Sequence, residues 1–446
     1  MDRNYSKHIA NIQERYERAL TRLGDVDGLL ILSGTEQYYY ADDQAPPFRA
    51  YGHFCHWLPV NRPDQILLIA PGRRPIYFQV IPDDYWYDQS IENEDWWAPE
   101  FDIVTLSDCN QVGRHLKNID RLAFIGEPET FASSTGIIPT NINPRRLLHY
   151  LDYQRACKTE YEVAQIKSAN RLALQGHDAA RECFLAGGTE YAIHMAYLQA
   201  CEISEQDCPY TNIVALNEKA AILHYQHKRH GLPTGEKGQV LLIDAGCRIN
   251  NYCSDITRTT ATEDCHATFH QLLAGMADIQ RQLVEEISPG KPYVDLHQST
   301  LRQIAGLLRE LQLVTCSLDE AIGLNLPQLF MPHGVGHLLG IQVHDVGGHL
   351  AGPEGSRLQP PEGLPYLRNT RTLSENMVFT IEPGFYFIGQ LLDPIRASNE
   401  GKALNWKLID ELRPLGGIRI EDNVRVTASG VENLTRQSPS AVITDR

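Results

Sequence analysis

The stretch Val240-Leu241-Leu242-Ile243-Asp244-Ala245-Gly246, followed by Cys247 to Asn251 and then by Tyr252-Cys253-Ser254-Asp255-Ile256-Thr257-Arg258-Thr259, decides the reading of this chain. An apolar run ends in an acid and a glycine, a short polar segment follows, and a second acid opens a β-branched run. That is the pattern of a hairpin. A loop at Ile249-Asn250 sets Asp244 directly opposite Asp255, and a loop at Asn250-Asn251 leaves them diagonal. Either register keeps both acids on one face, because strand side chains alternate with period two. Facing carboxylates beside apolar residues repel unless something positive lies between them.

The flanking sequence supplies a frame for this hairpin. A chain of 446 residues predicts two or three domains. Near the N-terminus, Ile9, Ile12, Tyr16 and Leu20 recur at helical spacing. Strand-length apolar runs follow at Gly28 to Leu32, Gln65 to Ala70, Ile76 to Val80 and Leu122 to Ile125, separated by turn residues. This alternation predicts a small α/β domain over residues 1–155. Thr159 and Glu162 then form a capping box ahead of Val163, Ile166, Ala169 and Leu172, which predicts a helix running to about Phe184. A second domain, 156–446, begins just before it and holds helices, hairpins and a Pro/Gly-rich loop from Gly347 to Pro365. Thr380-Ile381-Glu382-Pro383-Gly384 echoes Leu242 to Gly246: a strand that ends in an acid, one residue, then glycine.

Composition removes several function classes. Lys and Arg number 40 against 56 Asp and Glu, a formal charge of −16 that repels phosphate backbones and anionic lipid. Nucleic acid and membranes are therefore not expected as partners. The apolar runs fall short of the ~18 residues that a membrane-spanning helix needs. The segment Met1 to His8 is charged and lacks an apolar signal core. Ten cysteines without a CxxC pair suit a reduced, cytoplasmic protein.

Further chemistry-bearing residues lie downstream. Met331-Pro332-His333-Gly334-Val335-Gly336-His337-Leu338-Leu339-Gly340 precedes His344. His333 and His337 are four apart, but the glutamate of HExxH is missing and two glycines disfavour a helix, so a helical zinc pair is not expected. Glycines around a histidine instead let backbone come close to a neighbour. Glu382 closes the strand Met377 to Ile381, and Glu421 lies in Gly417-Ile418-Arg419-Ile420-Glu421-Asp422-Asn423-Val424, where alternation puts Arg419, Glu421 and Asn423 on one face. Asp244, Asp255, Glu382 and Glu421 carry the charge that two divalent cations would balance. One neutral imidazole completes an oxygen-rich site suited to Mn²⁺ or a similar ion. Two metals that bridge a hydroxide hold a nucleophile at neutral pH and polarise a carbonyl, which is hydrolytic chemistry. A GxSxG elbow, a Walker A loop and GxGxxG are all absent from the sequence.

Five blocks, Asp244-Ala245-Gly246, Ser254 to Arg258, His333 to His337, Ile381 to Gly384 and Arg419 to Asp422, resemble the pita-bread metallopeptidases, the family of aminopeptidase P, prolidase, methionine aminopeptidase and creatinase. Pro209 to Glu218, Leu223-His224-Tyr225, Val343-His344-Asp345 and Leu367 to Arg371 are similar to the proteobacterial Xaa-Pro dipeptidase branch. The resemblance spans nearly the whole chain. It implies an α/β N-terminal domain that shapes a homodimer or covers the active site, and a C-terminal pita-bread catalytic domain. It further implies that Asp244, Asp255, His337, Glu382 and Glu421 hold two Mn²⁺ ions, with Co²⁺ as a substitute and with Asp255 and Glu421 bridging. His344 would donate to the oxyanion, and Glu382 would carry a proton to the leaving nitrogen. His224, His333 and Tyr210 would border the proline pocket, Arg419 would orient the acids, and Arg368 would clamp the substrate carboxylate. The implied activity is hydrolysis of Xaa-Pro dipeptides with a weak organophosphate side reaction. An aminopeptidase P that takes longer peptides and a non-catalytic pita-bread binding protein are the alternatives.

Overall fold

The first amphipathic stretch forms the helix Arg3–Leu23, which buries Ile9, Ile12, Tyr16 and Leu20. A computed structural model describes residues 3–232 and 238–436 of the chain. It divides into two compact units, Met1–Ala164 with Leu350–Arg357, and Gln165–His349 with Leu358–Arg446. The division falls inside the helix Glu160–Leu185, whereas the capping box places a boundary ahead of it.

The first unit contains strands β1 (Gly28–Leu32), β2 (Ile66–Ile69), β3 (Ile76–Val80), β4 (Asp102–Leu106) and β5 (Leu122–Ile125). They form one mixed sheet of order β4-β3-β2-β1-β5, in which β1 runs parallel to β5 and antiparallel to β2. Every residue of β1 and β5 is buried, so each reads as an unbroken apolar run. Strand β4 is the element that apolar patterning does not flag. It lies at the sheet edge, only Leu106 in it is buried, and Asp102 and Thr105 are exposed.

The second unit contains β6 (Ile213–Leu216), β7 (Val240–Ala245), β8 (Arg248–Ile249), β9 (Tyr252–Cys253), β10 (Ile256–Ala261), β11 (Val378–Ile381), β12 (Gly384–Tyr386), β13 (Gly417–Arg419), β14 (Asp422–Thr427) and β15 (Gly430–Asn433). These group as β10-β7-β6, β11-β14-β15, β12-β13 and β8-β9. The helices Glu160–Leu185, Glu190–Cys201, Ala267–Glu285 and Tyr293–Glu310 belong to the same part of the chain. The two faces of β7 meet different cores: Leu241 and Ile243 pack with Val214, Phe184 and Tyr197, and Leu242 packs with Tyr225 and Tyr386. Asp244 shares the face of Leu242, since the period is two. No helix among the described residues is long and apolar enough to cross a membrane.

The hairpin takes the diagonal register. Arg248 pairs with Cys253, Ile249 with Tyr252, and Asp244 with Thr257, so the loop is Asn250-Asn251. Asn250 and Asn251 have φ of 47° and 73°. A two-residue turn of this kind needs positive φ at both positions, which asparagine tolerates and the β-branched Ile249 does not. Close packing at the base of the hairpin requires Gly246, because a Cβ there would lie 2.0 Å from the carbonyl oxygen of Ser254. That carbonyl immediately precedes Asp255.

Gly246→Ala is expected to destabilise the protein by about 1–3 kcal/mol, read as a lower urea midpoint at unchanged slope. Gly306→Ala, inside the helix Tyr293–Glu310 with nothing within 4 Å of the added Cβ, is expected to move the midpoint the other way. Equal midpoints for both variants would remove the steric account of Gly246.

Candidate metal centre and active site

Four carboxylates stand at strand ends in the second unit. Asp244 is the penultimate residue of β7, Asp255 precedes β10, Glu382 follows β11, and Glu421 lies between β13 and β14. Asp244, Asp255 and Glu421 are 8%, 6% and 2% exposed. His337 joins them, with Nε2 3.3 Å from Asp255 Oδ2 and 3.5 Å from Glu382 Oε1. Its Nδ1 faces the carbonyl oxygen of Leu338 at 3.1 Å. A carbonyl only accepts, so Nδ1 carries a proton and Nε2 is the ring nitrogen turned toward the acids. Donor atoms of Asp255, His337 and Glu421 all lie within 4.8 Å of one another.

The glycines of the His333 to His337 segment allow it to dock against β11. A Cβ on Gly336 would lie 2.1 Å from the Thr380 carbonyl oxygen and 2.4 Å from Tyr293 Oη. The docked segment exchanges hydrogen bonds with the strand: Thr380 Oγ1 accepts the His337 N–H at 3.0 Å, and the His337 carbonyl accepts the Thr380 N–H at 2.9 Å. Close backbone approach is therefore what the glycines supply here.

Asp244, Asp255 and Glu421 are held by neighbours that restrict their orientation. Tyr210 Oη lies 2.6 Å from Asp244 Oδ1 and 2.5 Å from Asp255 Oδ1, so one phenol proton serves two carboxylates. Arg419 reaches Asp244 Oδ2 at 2.6 Å through Nη2, Thr257 Oγ1 at 3.1 Å through Nε, and Tyr386 Oη at 3.0 Å through Nη1. Thr257 in turn donates to Glu421 Oε2 at 2.6 Å. Asn423 exchanges two bonds with the backbone of Asp255, at 3.1 and 2.5 Å. Thr257 and Tyr386 were not singled out in the sequence. A signal existed for Thr257, which shares the Asp255 face of its strand, whereas Tyr386 reaches the site only through packing.

Charge is unbalanced in this cluster. Burial pushes the carboxyl of Glu382 up to about 7, against the lowering pull of His337 and Arg419. Burial and then the Asp255 charge put Glu421 well above the usual carboxylate range. Asp244 is raised by burial, partly offset by Arg419. Burial lowers His337, yet Asp255 and Glu382 outweigh it and raise the ring above 6.5. The acids thus lack positive charge. An oxygen-rich donor set with one imidazole fits hard divalent cations.

The remaining sequence candidates surround this cluster at different depths. His333 donates through Nδ1 to the Gly334 carbonyl at 2.8 Å and faces Tyr386 Oη through Nε2 at 2.9 Å. Burial, then Arg419, lower it to about 3. The His344 ring stands edge-on to His337, centroids 4.4 Å apart. His344 is itself exposed; partial loss of water around its ring, then His337, Arg368 and His224, lower its pKa, so it is neutral at pH 7. His224 and Arg368 are exposed. Cys247 and Cys253 are buried, Cys247 in the core with Tyr197 and Cys253 with its thiol on the Ile341 carbonyl at 3.3 Å.

Residues 164–428 match the model of Metallopeptidase family M24, and residues 3–153 match that of the Xaa-Pro dipeptidase N-terminal domain. The Xaa-Pro dipeptidase of Marinobacter nauticus is 44% identical over 433 residues, 96% of this chain and 97% of the relative. That of Pseudoalteromonas atlantica is 41% identical over 436 residues, 97% of each. Among solved structures, an aminopeptidase of Pseudomonas aeruginosa superposes with a TM-score of 0.72 at 22% identity, covering 97% of this chain and 96% of its own. Zinc-substituted Escherichia coli aminopeptidase P in complex with product gives 0.71 at 21%, covering 95% and 94%. At those identities the likeness speaks for the fold. By the extent of the family match and of the curated relatives, this chain belongs to metallopeptidase family M24.

Proposed function

We propose that this chain hydrolyses the peptide bond before the C-terminal proline of Xaa-Pro dipeptides, at a centre in which Asp244, Asp255, His337, Glu382 and Glu421 hold two Mn²⁺ ions, with Co²⁺ as a substitute. The observation that carries this reading is the convergence of four carboxylates and one imidazole in a buried cluster, in a chain whose relatives at 41–44% identity are named Xaa-Pro dipeptidases. Bound divalent ions lower the pKa of water and polarise a carbonyl, which supplies a nucleophile at neutral pH.

The side chains do the rest. Glu382 accepts the proton of the attacking water and returns it to the proline nitrogen, a poor leaving group until protonated. Neutral His344 donates a hydrogen bond to the carbonyl oxygen as negative charge develops there. Arg419 fixes Asp244 and, through Thr257, Glu421. His333, His224 and Tyr210 border the proline. Arg368 binds the free carboxylate with its guanidinium fork, a contact that selects dipeptides over longer chains. The first unit serves a homodimer or covers the active site of this cytoplasmic enzyme. The same centre gives weak, EDTA-sensitive hydrolysis of organophosphates.

Ala-Pro is expected to be cleaved rapidly by Mn²⁺-loaded protein and not after EDTA treatment, while Ala-Pro-Ala is left intact. Cleavage of the tripeptide at a comparable rate reassigns the chain as an aminopeptidase P, and no cleavage of either removes the enzymatic reading. Arg368→Ala is expected to lower kcat/KM for Ala-Pro by about 10- to 100-fold, the loss of a charged hydrogen bond. A variant that retains the full preference for dipeptides rules out the carboxylate clamp. Metal affinity follows pH with a defined sign. Glu382, Glu421 and His337 must each lose a proton to bind a cation and each is raised, so the apparent Kd for Mn²⁺ is expected to fall as pH rises through about 7. Because the folded pKa of Glu382 is raised, the metal-free protein loses stability as pH rises through about 7. Calorimetric Mn²⁺ titrations from pH 6 to 8 read the first effect, and a flat profile contradicts it.

A further inference from the structure

His8, His56 and Glu162 meet inside the first unit, 1%, 3% and 1% exposed, and no step of the hydrolytic chemistry uses them. They come from three separate segments: the helix Arg3–Leu23, the end of the short helix Gly52–Cys55, and the first turn of the helix Glu160–Leu185. One donor atom from each lies within 4.8 Å of the other two.

Hydrogen-bond accounting leaves His56 and one oxygen of Glu162 without partners at this point. His8 Nε2 lies 2.8 Å from the carbonyl oxygen of His56, which only accepts, so Nε2 carries the proton and Nδ1 is a lone pair. That lone pair faces Thr159 Oγ1 at 2.8 Å. Glu162 uses Oε2 on the Thr159 N–H at 2.7 Å as part of the capping box. Its Oε1 has no hydrogen-bond partner among the described residues, and neither has either ring nitrogen of His56. His56 Nε2 and Glu162 Oε1 nevertheless stand 3.5 Å apart. Burial lowers the His56 ring to about 3, so at neutral pH a bare carboxylate oxygen faces an uncharged imidazole. Buried polar atoms in this state are rare unless a water or an ion satisfies them.

Donor spacing favours an ion. A tetrahedral zinc with bonds of about 2.0–2.2 Å separates its ligands by about 3.3–3.5 Å. The catalytic cluster shows the same spacing, 3.3 and 3.5 Å from His337 Nε2 to Asp255 and Glu382. The backbone carbonyl that fixes the His8 tautomer is the outer partner a ligating histidine commonly has. Two nitrogens and one carboxylate oxygen in a closed interior suit a structural Zn²⁺, whereas Mn²⁺ and Mg²⁺ prefer more oxygens. We propose that His8 Nδ1, His56 Nε2 and Glu162 Oε1 form a structural zinc site, His8 Nδ1 exchanging the Thr159 hydroxyl for the metal and a water taking the fourth position, which pins the N-terminal helix to the start of the long helix. This inference does not depend on the dipeptidase reading.

Full-length protein from zinc-supplemented cells, dialysed against EDTA, tests it by elemental analysis. With the catalytic donors removed by Asp255→Asn and Glu421→Gln, about one zinc per chain is expected to remain, since an enclosed site releases metal slowly. Adding His56→Gln is expected to abolish it. Zinc absent before that substitution, or unchanged after it, overturns the proposal. Where the triple variant does not fold, anomalous scattering at the zinc edge from the double variant decides: a peak among His8, His56 and Glu162 supports the site, and its absence overturns it. Absence of Ala-Pro hydrolysis by Mn²⁺-loaded wild type that retains the zinc would count against the dipeptidase reading alone.

Discussion

Asp244, Asp255, Glu382 and Glu421 are drawn together with the Arg419 guanidinium among them, and the geometry of the second unit turns on that charge imbalance. Carboxylates packed at hydrogen-bond range in an interior destabilise each other steeply, because the medium that would screen them is gone. The protein answers in three ways: Arg419 on Asp244, the Tyr210 phenol between Asp244 and Asp255, and carboxyl groups that hold their protons far above the usual range. All three are what a cation-binding centre shows when its own residues carry the whole burden of neutralisation.

Rigidity behind the acids makes such a centre selective. Asp422, next to Glu421, is fully buried and meets Arg258 at 2.9 Å, Arg436 at 2.6 Å, and Gln280 at 3.0 Å. Burial alone would raise its pKa, and the two guanidiniums more than reverse that. Arg258 also donates to the Glu421 carbonyl at 2.7 Å, so β10 grips the β13–β14 connection that carries the acid. Asn423 ties the next residue pair back to Asp255. Partners of this kind hold donor atoms within tenths of an ångström, which decides which ions fit.

A good part of this was legible in the residues alone. Period-two alternation placed Asp244 and Asp255 on one face, and Arg419, Glu421 and Asn423 on another, because strand geometry is local. The capping box at Thr159 and Glu162 forms as its spacing implies. Apolar runs marked β1, β2, β3 and β5, whose residues are mostly buried on both faces. Edge strand β4 escaped because half of its surface is exposed and its residues need not be apolar. The choice between the two hairpin loops was open in the pattern and closed by the left-handed pair Asn250 and Asn251.

What the sequence determined, then, is whatever depends on neighbours a few residues away: strand periodicity, the asparagine turn, the cap, and the donor types carried at each strand end. Tertiary structure alone decided that Glu382 and Glu421 arrive beside a hairpin more than a hundred residues earlier, that Thr257 bridges Arg419 to Glu421, and that Tyr386 lies between Arg419 and His333. It also decided the protonation of the site, since desolvation is a property of the whole packed interior. The same holds for His8, His56 and Glu162, which no local motif links. Local patterns encode backbone geometry, while convergence and burial are set by how sheets and helices pack over long range.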